Sequence, residues 1–475
     1  MSKLIKNTVI YSLGRILPQV VGFILLPIYT QYMTPNEYGI AQSMQILTTV
    51  LAILFSLATE RSIFRLFYDF RDLDKRKLLI GNITIVVSFV SVFCLFLLFQ
   101  LKEYVNFIFS TIPFYPYYSL AIFNTFFLAF SFIPNNLFQV KGEAFNFTIV
   151  SMVAFCLNVC FILFFVVFKK QGAAGMLKGQ MIANGIMFLL YLYIIFKNSI
   201  LTINYGIMKQ ILQFSLPMIP ALFASWLLNM SNRVFIEKFL PPQDALFQIG
   251  LFSLAFKISS VGTILLGAIN TAYNPVFYKL ASQEDQVKGK ETLKDLNYIF
   301  TLISLFLCFC IACLSSELVS FFDSKYMTSS KFIPVFVISI FITQIVSLFN
   351  LMIYQNKKTL SIMFIIFGSS LVTVIFNIIL IPVFGSIGAA WATVLGVFFN
   401  MVLVISYAKK NYYVPFLFYR IISYVIVSVL SFFLISVMNI DNKILSLVVK
   451  SIILLLIGCF LFQINKQKFL MVRKV

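Results

Sequence analysis

The chain contains no histidine, and only 16 of its 475 residues are Asp or Glu. Without imidazole there is no histidine general base, no Ser–His or Cys–His pair and no histidine metal ligand. Charged residues make up 11% of the chain, where an ordinary soluble protein carries roughly 25%. No GxxxxGK[ST] or HExxH motif is present, so an ATP-driven pump would need an ATPase from a partner. No large polar region is available to hold a sugar donor, which disfavours a membrane glycosyltransferase or ligase. Seven cysteines occur, all inside apolar runs, so disulfides are not expected. Cys308, Cys310 and Cys313 lie on one apolar segment and read as buried apolar residues rather than a metal cluster. Neither a metal nor a cofactor is expected.

What the chain has is apolar length. Hydrophobic residues make up 61% and the mean hydropathy is +0.97, which makes it an integral membrane protein. A span needs about 20 apolar residues. Windows of that size give fourteen: 8–33, 38–59, 80–101, 117–139, 146–168, 176–196, 211–235, 247–272, 297–321, 332–354, 360–382, 386–408, 415–437 and 444–463. The first is too long for a signal-peptide core and no small-x-small site follows it, so it reads as a retained span. The formal net charge is +20. With both termini in the cytoplasm, 24 Lys and Arg fall on inside loops and 9 on outside ones, as the positive-inside rule requires. The Lys169-Lys170 pair is the main contrary signal. Anionic lipid accounts for the excess charge, and nucleic acid is not an expected partner.

A motif occurs twice. It reads Thr30-Gln-Tyr-Met-Thr-Pro35-Asn-Glu-Tyr-Gly39, then Glu237-Lys-Phe-Leu-Pro241-Pro242 with Gly250 after a longer insert. Phe138-Gln-Val-Lys141 matches Tyr354-Gln-Asn-Lys357, and Gly172-Ala-Ala matches Gly388-Ala-Ala, both at an offset of 216. Two six-helix copies of the same orientation follow, because six is even. The expected organisation is an N-lobe at 1–196, a linker at 197–210, a C-lobe at 211–408, and two further spans with a cytoplasmic tail at 409–475. The loop at 273–296 is mixed-charge and expected to be partly helical.

Cations inside spans are the residues that could carry chemistry. Arg15 lies about two turns into span 1, roughly 10–12 Å from its inner end. Lys257 is near the middle of span 8, Arg233 is in the outer third of span 7, and Arg61 and Arg65 follow Glu60 at the inner end of span 2. A charge at mid-bilayer costs about 2.5–3.5 kcal/mol, so such groups face a water-filled cavity or a partner. No acidic residue lies on the spans carrying Arg15, Arg233 and Lys257. The simplest account is a cationic cavity lined by Arg15, Arg61, Arg233 and Lys257, completed by an anionic substrate such as a phosphate. Bland alternatives stand beside it: Arg61 and Arg65 as ordinary positive-inside residues, and Arg233 as an interfacial arginine paired with Glu237 one turn on. Gln19, Asn229, Asn232, Ser253 and Asn270 are further candidates for the cavity wall. Pro18 and Pro27 in span 1, with Pro217 and Pro220 in span 7, are hinge candidates.

Gly14-Arg15, Leu26-Pro-Ile-Tyr-Thr-Gln-Tyr-Met-Thr-Pro-Asn-Glu-Tyr-Gly39, Ser215-Leu-Pro-Met-Ile-Pro with Ser231-Asn-Arg233, Gln355-Asn-Lys-Lys-Thr359 and Gly385-Ser-Ile-Gly-Ala-Ala-Trp-Ala392 together resemble one family. It is the Wzx-type polysaccharide or O-antigen repeat-unit flippases of the multidrug/oligosaccharidyl-lipid/polysaccharide exporter superfamily. The resemblance covers nearly the whole chain. It implies an all-α, MATE-like membrane protein of about fourteen helices that is not an enzyme. It also implies export of an undecaprenyl-diphosphate-linked oligosaccharide, for O-antigen or capsule, across the cytoplasmic (inner) membrane. Polysaccharide polymerase and glycosyltransferases would be its partners. The family often has Asp before the span-7 arginine; here Asn232 stands there, which weakens an ion-coupling role. Competing readings are a cation-coupled multidrug exporter, disfavoured by basic rather than acidic groups in the spans, a lipid II flippase, and an envelope-polysaccharide enzyme.

The orientation predicts that Asn36→Cys reacts with a membrane-impermeant maleimide added to intact cells. Reaction only after permeabilisation would reverse the assignment.

Overall fold

The computed structural model describes residues 2–282, 286–355, 359–410, 413–437, 443–466 and 468. Side chains at 2–9, 12, 13, 15, 286, 359, 360, 436, 443 and 444 lie outside the description. Among the described residues all regular structure is helical, as lipid demands of a backbone that finds no water to bond. In chain order the first helices are α1 (Ser2–Ile24), α2 (Leu26–Tyr32), α3 (Pro35–Ser56), α4 (Glu60–Leu66), α5 (Leu73–Gln100) and α6 (Lys102–Asn106). Then come α7 (Ser119–Lys141), α8 (Ala144–Leu163), α9 (Gly172–Lys197), α10 (Tyr205–Ser215), α11 (Ile219–Met230), α12 (Asn232–Phe239) and α13 (Pro242–Ala281). The rest are α14 (Gln286–Cys313), α15 (Ser315–Ser320), α16 (Ile333–Gln355), α17 (Thr359–Phe384), α18 (Ser386–Lys410), α19 (Phe418–Ser436) and α20 (Lys443–Ile464).

Thirteen described helical stretches are long and apolar enough to cross a membrane. The fourteenth expected span, at 8–33, is divided at Leu25, and its apolar part, Ile16–Tyr32, is shorter. Span 2 ends at Ser56 rather than 59, because Leu57 and Ala58 both adopt left-handed backbone (φ 47° and 55°). Two such non-glycine residues cost roughly 1–3 kcal/mol each. The hydroxyls around them bond locally: Ser56 Oγ accepts from Ala58 N–H, and Thr59 donates to the Ser56 carbonyl at 2.7 Å. The expected loop at 273–296 is mostly helix, since α13 continues to Ala281 and α14 starts at Gln286; residues 283–285 lie outside the description. The expected span at 297–321 is instead Val287–Cys313, which leaves Glu317 beyond its end on α15.

The chain divides into two compact units, Met1–Gly250 and Leu251–Val475. In the first, α3, α5, α7 and α9 surround a core that includes Met44, Phe55, Ile83, Tyr118 and Ile122. Helix α1 lies on α8, where Thr148 donates to the Ile10 carbonyl (3.0 Å), and reaches α7, where Tyr11 donates to the Phe138 carbonyl (3.2 Å). Polar residues within the spans bond back to the preceding turn, as Thr48 does to Met44 and Thr125 to Ala121. Helix α7 stops at Gly142 (φ 72°), whose successor Glu143 donates its N–H to the Phe138 carbonyl, a left-handed glycine cap.

In the second unit α16 packs on α14 and α18, and α17 lies against α18. Few residues of helices α19 and α20 are buried. A buried ion pair ties α20 down. Lys450 lies 2.7 Å from Glu317 Oε1, to which Ser446 also donates (2.6 Å), while Ser316 donates to Oε2 (2.9 Å). Burial alone would raise the Glu317 carboxyl. The Lys450 ammonium and the Ser446 and Ser316 hydroxyls outweigh it and hold the carboxyl below its ordinary value.

Lys450→Met should therefore lower the thermal stability of the purified protein at neutral pH by about 3–5 kcal/mol, the cost of orphaning a buried charge. Adding Glu317→Gln should restore much of it. A depressed carboxyl gives stability that is present above its unfolded value and lost as pH falls through the folded one. The deficit of Lys450→Met should thus shrink in acid, which melting curves across pH will read.

Candidate functional site

The doubled motif supplies the best-defined corner of the first unit. Thr34 caps α3: its hydroxyl accepts from Glu37 N–H, and Glu37 Oε2 accepts from Thr34 N–H (2.8 Å), a capping box with Pro35 at the first helical position. Glu37 also rests on the chain at Gly172, where a Cβ would sit 2.0 Å from its Oε1. The two motif copies meet in a reciprocal contact. A Cβ at Gly39 would lie 2.0 Å from the Leu246 carbonyl oxygen, and one at Gly250 would lie 2.0 Å from the Pro35 carbonyl oxygen. Glycine at both positions thus lets the starts of α3 and α13 touch backbone to backbone.

Arg233 stands beside this corner. It is 3% exposed on α12, donates to the Asn229 carbonyl at 3.4 Å, and interacts electrostatically with the hydroxyl of Tyr38, one residue before Gly39. Tyr29 is near enough to Tyr38 to interact with it as well. The anticipated Arg233–Glu237 pair is not what Glu237 makes. Its carboxylate is buried, and Oε1 accepts from Thr111 N–H (2.8 Å) and the Ser110 hydroxyl (3.0 Å), while Lys238 lies 3.6 Å from Oε2. Trp226 adds a further tie, donating to Thr49 Oγ1 (3.2 Å).

The other sequence candidates are spread out. Arg61 is exposed on α4, just past the break at Leu57-Ala58. Arg61 and Arg233 therefore lie at opposite ends of α3, whose 22 residues extend about 33 Å. Arg65 is paired with Asp69 at 2.8 Å. Arg15 is on α1, and its side chain lies outside the described residues. Lys257, in the second unit, is exposed on α13. Gln19 and Asn229 are exposed, and Asn229 donates to the Ser225 carbonyl. Asn232 and Ser253 are buried. Asn270 is committed to Gln344 in a reciprocal amide pair (3.0 and 2.7 Å). Three of the four prolines mark helix breaks: Pro27 opens α2, Pro217 lies in a short 3-10 turn, and Pro220 opens α11, while Pro18 stays inside α1. Tyr38 was not singled out by sequence reasoning, although it lies within the doubled motif.

The profile of a family described as "Polysaccharide biosynthesis protein" matches residues 4–281. The chain belongs to that family. "Lsg locus putative protein 1" of Haemophilus influenzae is 24% identical over 409 residues, covering 82% of this chain and 95% of that protein. Among solved structures, lipid II flippase MurJ in an inward closed conformation superposes with a TM-score of 0.76 at 14% identity, covering 96% of this chain and 99% of that one. An inward-facing multidrug resistance MATE family transporter of the MOP superfamily gives 0.64 at 14% identity, covering 85% and 96%. The fold is thus all-α and MATE-like, in a multi-pass membrane protein whose structural neighbours are a flippase and transporters rather than enzymes.

The motif corner makes a direct prediction. Gly39→Ala and Gly250→Ala should each destabilise the purified protein by at least about 1–3 kcal/mol, because the obstructing atoms are backbone. Gly22→Ala, where nothing lies within 4 Å of the new Cβ, should melt with the wild type.

Proposed function

We propose that the protein is a flippase that carries an undecaprenyl-diphosphate-linked oligosaccharide repeat unit from the cytoplasmic to the outer leaflet of the cytoplasmic membrane, with both termini inside. One observation carries the reading: a member of a polysaccharide biosynthesis family shares its fold, over 96% of its length, with a lipid II flippase. The assignment of Arg15, Arg61, Arg233 and Lys257 to a cationic path for the diphosphate rests on their charge and their place along the spans. Two sixfold-helical lobes, 1–196 and 211–408, would alternate access, bending where Pro27, Pro217 and Pro220 interrupt their helices.

The burial of Arg233 has a role in this scheme. Its guanidinium is covered in the conformation described here, while Arg61 and Lys257 are exposed. We assign Arg61 and Lys257 to the state that accepts the diphosphate, and Arg233 to the state that releases it outward. Arginine suits the task because its fork matches phosphate oxygens. The basic rather than acidic character of these spans is the reason a cation-coupled drug exporter is not preferred.

Arg15→Ala and Lys257→Ala should each abolish glycan export while the protein remains at wild-type level in the membrane. Full export by both variants would sink the cationic path. Loss of the protein should leave lipid-linked oligosaccharide facing the cytoplasm, and an accumulation of lipid II instead would reassign the substrate.

A further inference from the structure

At one end of the first unit three junctions come together: residues 67–77 between α4 and α5, 140–146 between α7 and α8, and 197–204 after α9. Short bonds hold them. Tyr68 donates to the Val140 carbonyl (2.7 Å), Lys141 to Asn198 Oδ1 (2.6 Å), and Ile200 N–H to the Lys77 carbonyl (3.1 Å). Asn82 clamps the last junction from both sides, donating to the Thr202 carbonyl and accepting from Asn204 N–H. Two adjoining cavities of about 420 and 440 Å³ open here, sharing Lys141, Glu143 and Asn198 in their walls.

The walls are strongly cationic. Arg76 and Lys77 line one cavity, Lys197 the other, and Lys141 both. Arg76 is held in place: its Nε–H donates to the carbonyls of Phe67 (3.1 Å) and Phe70 (2.7 Å), and its guanidinium lies 4.7 Å from the Phe67 ring centroid. Among the described residues its terminal amines, and the ammonium groups of Lys77 and Lys197, make no hydrogen bond. Glu143 is the one carboxylate in either wall; its Oε2 accepts from Asn146 (2.8 Å), and Oε1 remains available to accept from a hydroxyl. Four cations against one carboxylate around a preformed cavity call for an anion. A fixed guanidinium beside ammonium groups suits phosphate oxygens, and Glu143 suits a hydroxyl carried near that phosphate. Ile149 and Tyr193, exposed apolar residues of the second wall, continue the site onto the exposed surface of α8 and α9.

We infer that this double cavity is a binding site for a hydroxyl-bearing phosphate ester. It is separate from the proposed transport path as far as the described side chains go: Arg61, Arg233 and Lys257 line neither cavity. Such an ester could reach it as the headgroup of a membrane phospholipid or as a soluble compound. The test uses the full-length protein in detergent, with phosphatidylglycerol, phosphatidylcholine and glycerol 3-phosphate as probes, and reads binding by native mass spectrometry and thermal shift. Saturable binding of phosphatidylglycerol over phosphatidylcholine would identify a lipid headgroup, and binding of glycerol 3-phosphate with equal strength a soluble ester. Among the described residues Lys77→Gln and Lys197→Gln disturb no internal side-chain bond, and each should weaken that binding roughly fivefold. Lys75→Gln, an exposed residue lining neither cavity, should leave it unchanged. Equal binding by wild type and the Lys77→Gln/Lys197→Gln double variant, or an equal loss in Lys75→Gln, would overturn the site.

Discussion

A backbone amide in hydrocarbon has no water to bond, so its partner must come from its own chain. The remaining features of the protein can be understood as consequences. Continuous helix is free of this difficulty, and the chain uses it nearly everywhere. Each interruption must be supplied with side-chain or local partners. Hydroxyls of Ser56, Thr59 and Ser62 serve the break after α3, Thr34 and Glu37 serve the start of α3, and Asn204 caps α10. Some of the polar residues of this sequence thus serve the places where helices stop, and the candidates Pro27, Arg61 and Arg233 fall near such places.

The doubled motif gains a physical meaning from this. Its glycines are packing devices, each surrendering its side chain so that a carbonyl of the other copy can approach. That contact brings Tyr38 to Arg233, so a buried cation is set beside a close backbone crossing. Glu237, from the second copy, reaches away from Arg233 to hold residues 110 and 111. The corner is thus fastened in three directions by residues drawn from a short stretch of repeated sequence.

Spans were legible in the sequence because apolar length is a property of consecutive residues. Most observed helices begin and end within a few positions of the hydropathy windows. The misplaced features depend on partners remote in the chain. Glu237 sits one turn from Arg233, so local spacing suggested a pair, but its oxygens are taken by residues 126 and 127 positions away. Glu317 fell inside an apolar window because its partners, Lys450 and Ser446, lie far downstream. Leu57 and Ala58 carry no signal for left-handed backbone, since neither is glycine or asparagine, so the break after α3 could not be read. The cavity at 67–77, 140–146 and 197–204 was equally hidden: in sequence its lysines are topology signals, loop by loop, and only folding gathers them.

The clasp between Glu317 and Lys450 also bears on how the protein is made. A growing chain exposes Glu317 first, and Lys450 follows roughly 130 residues later. At about 5–20 residues per second, the nascent chain waits some 7–26 s with a carboxylate that has no cation to meet. Arrival of α20 ends that interval, so docking of this helix is the step that gives Glu317 its cation.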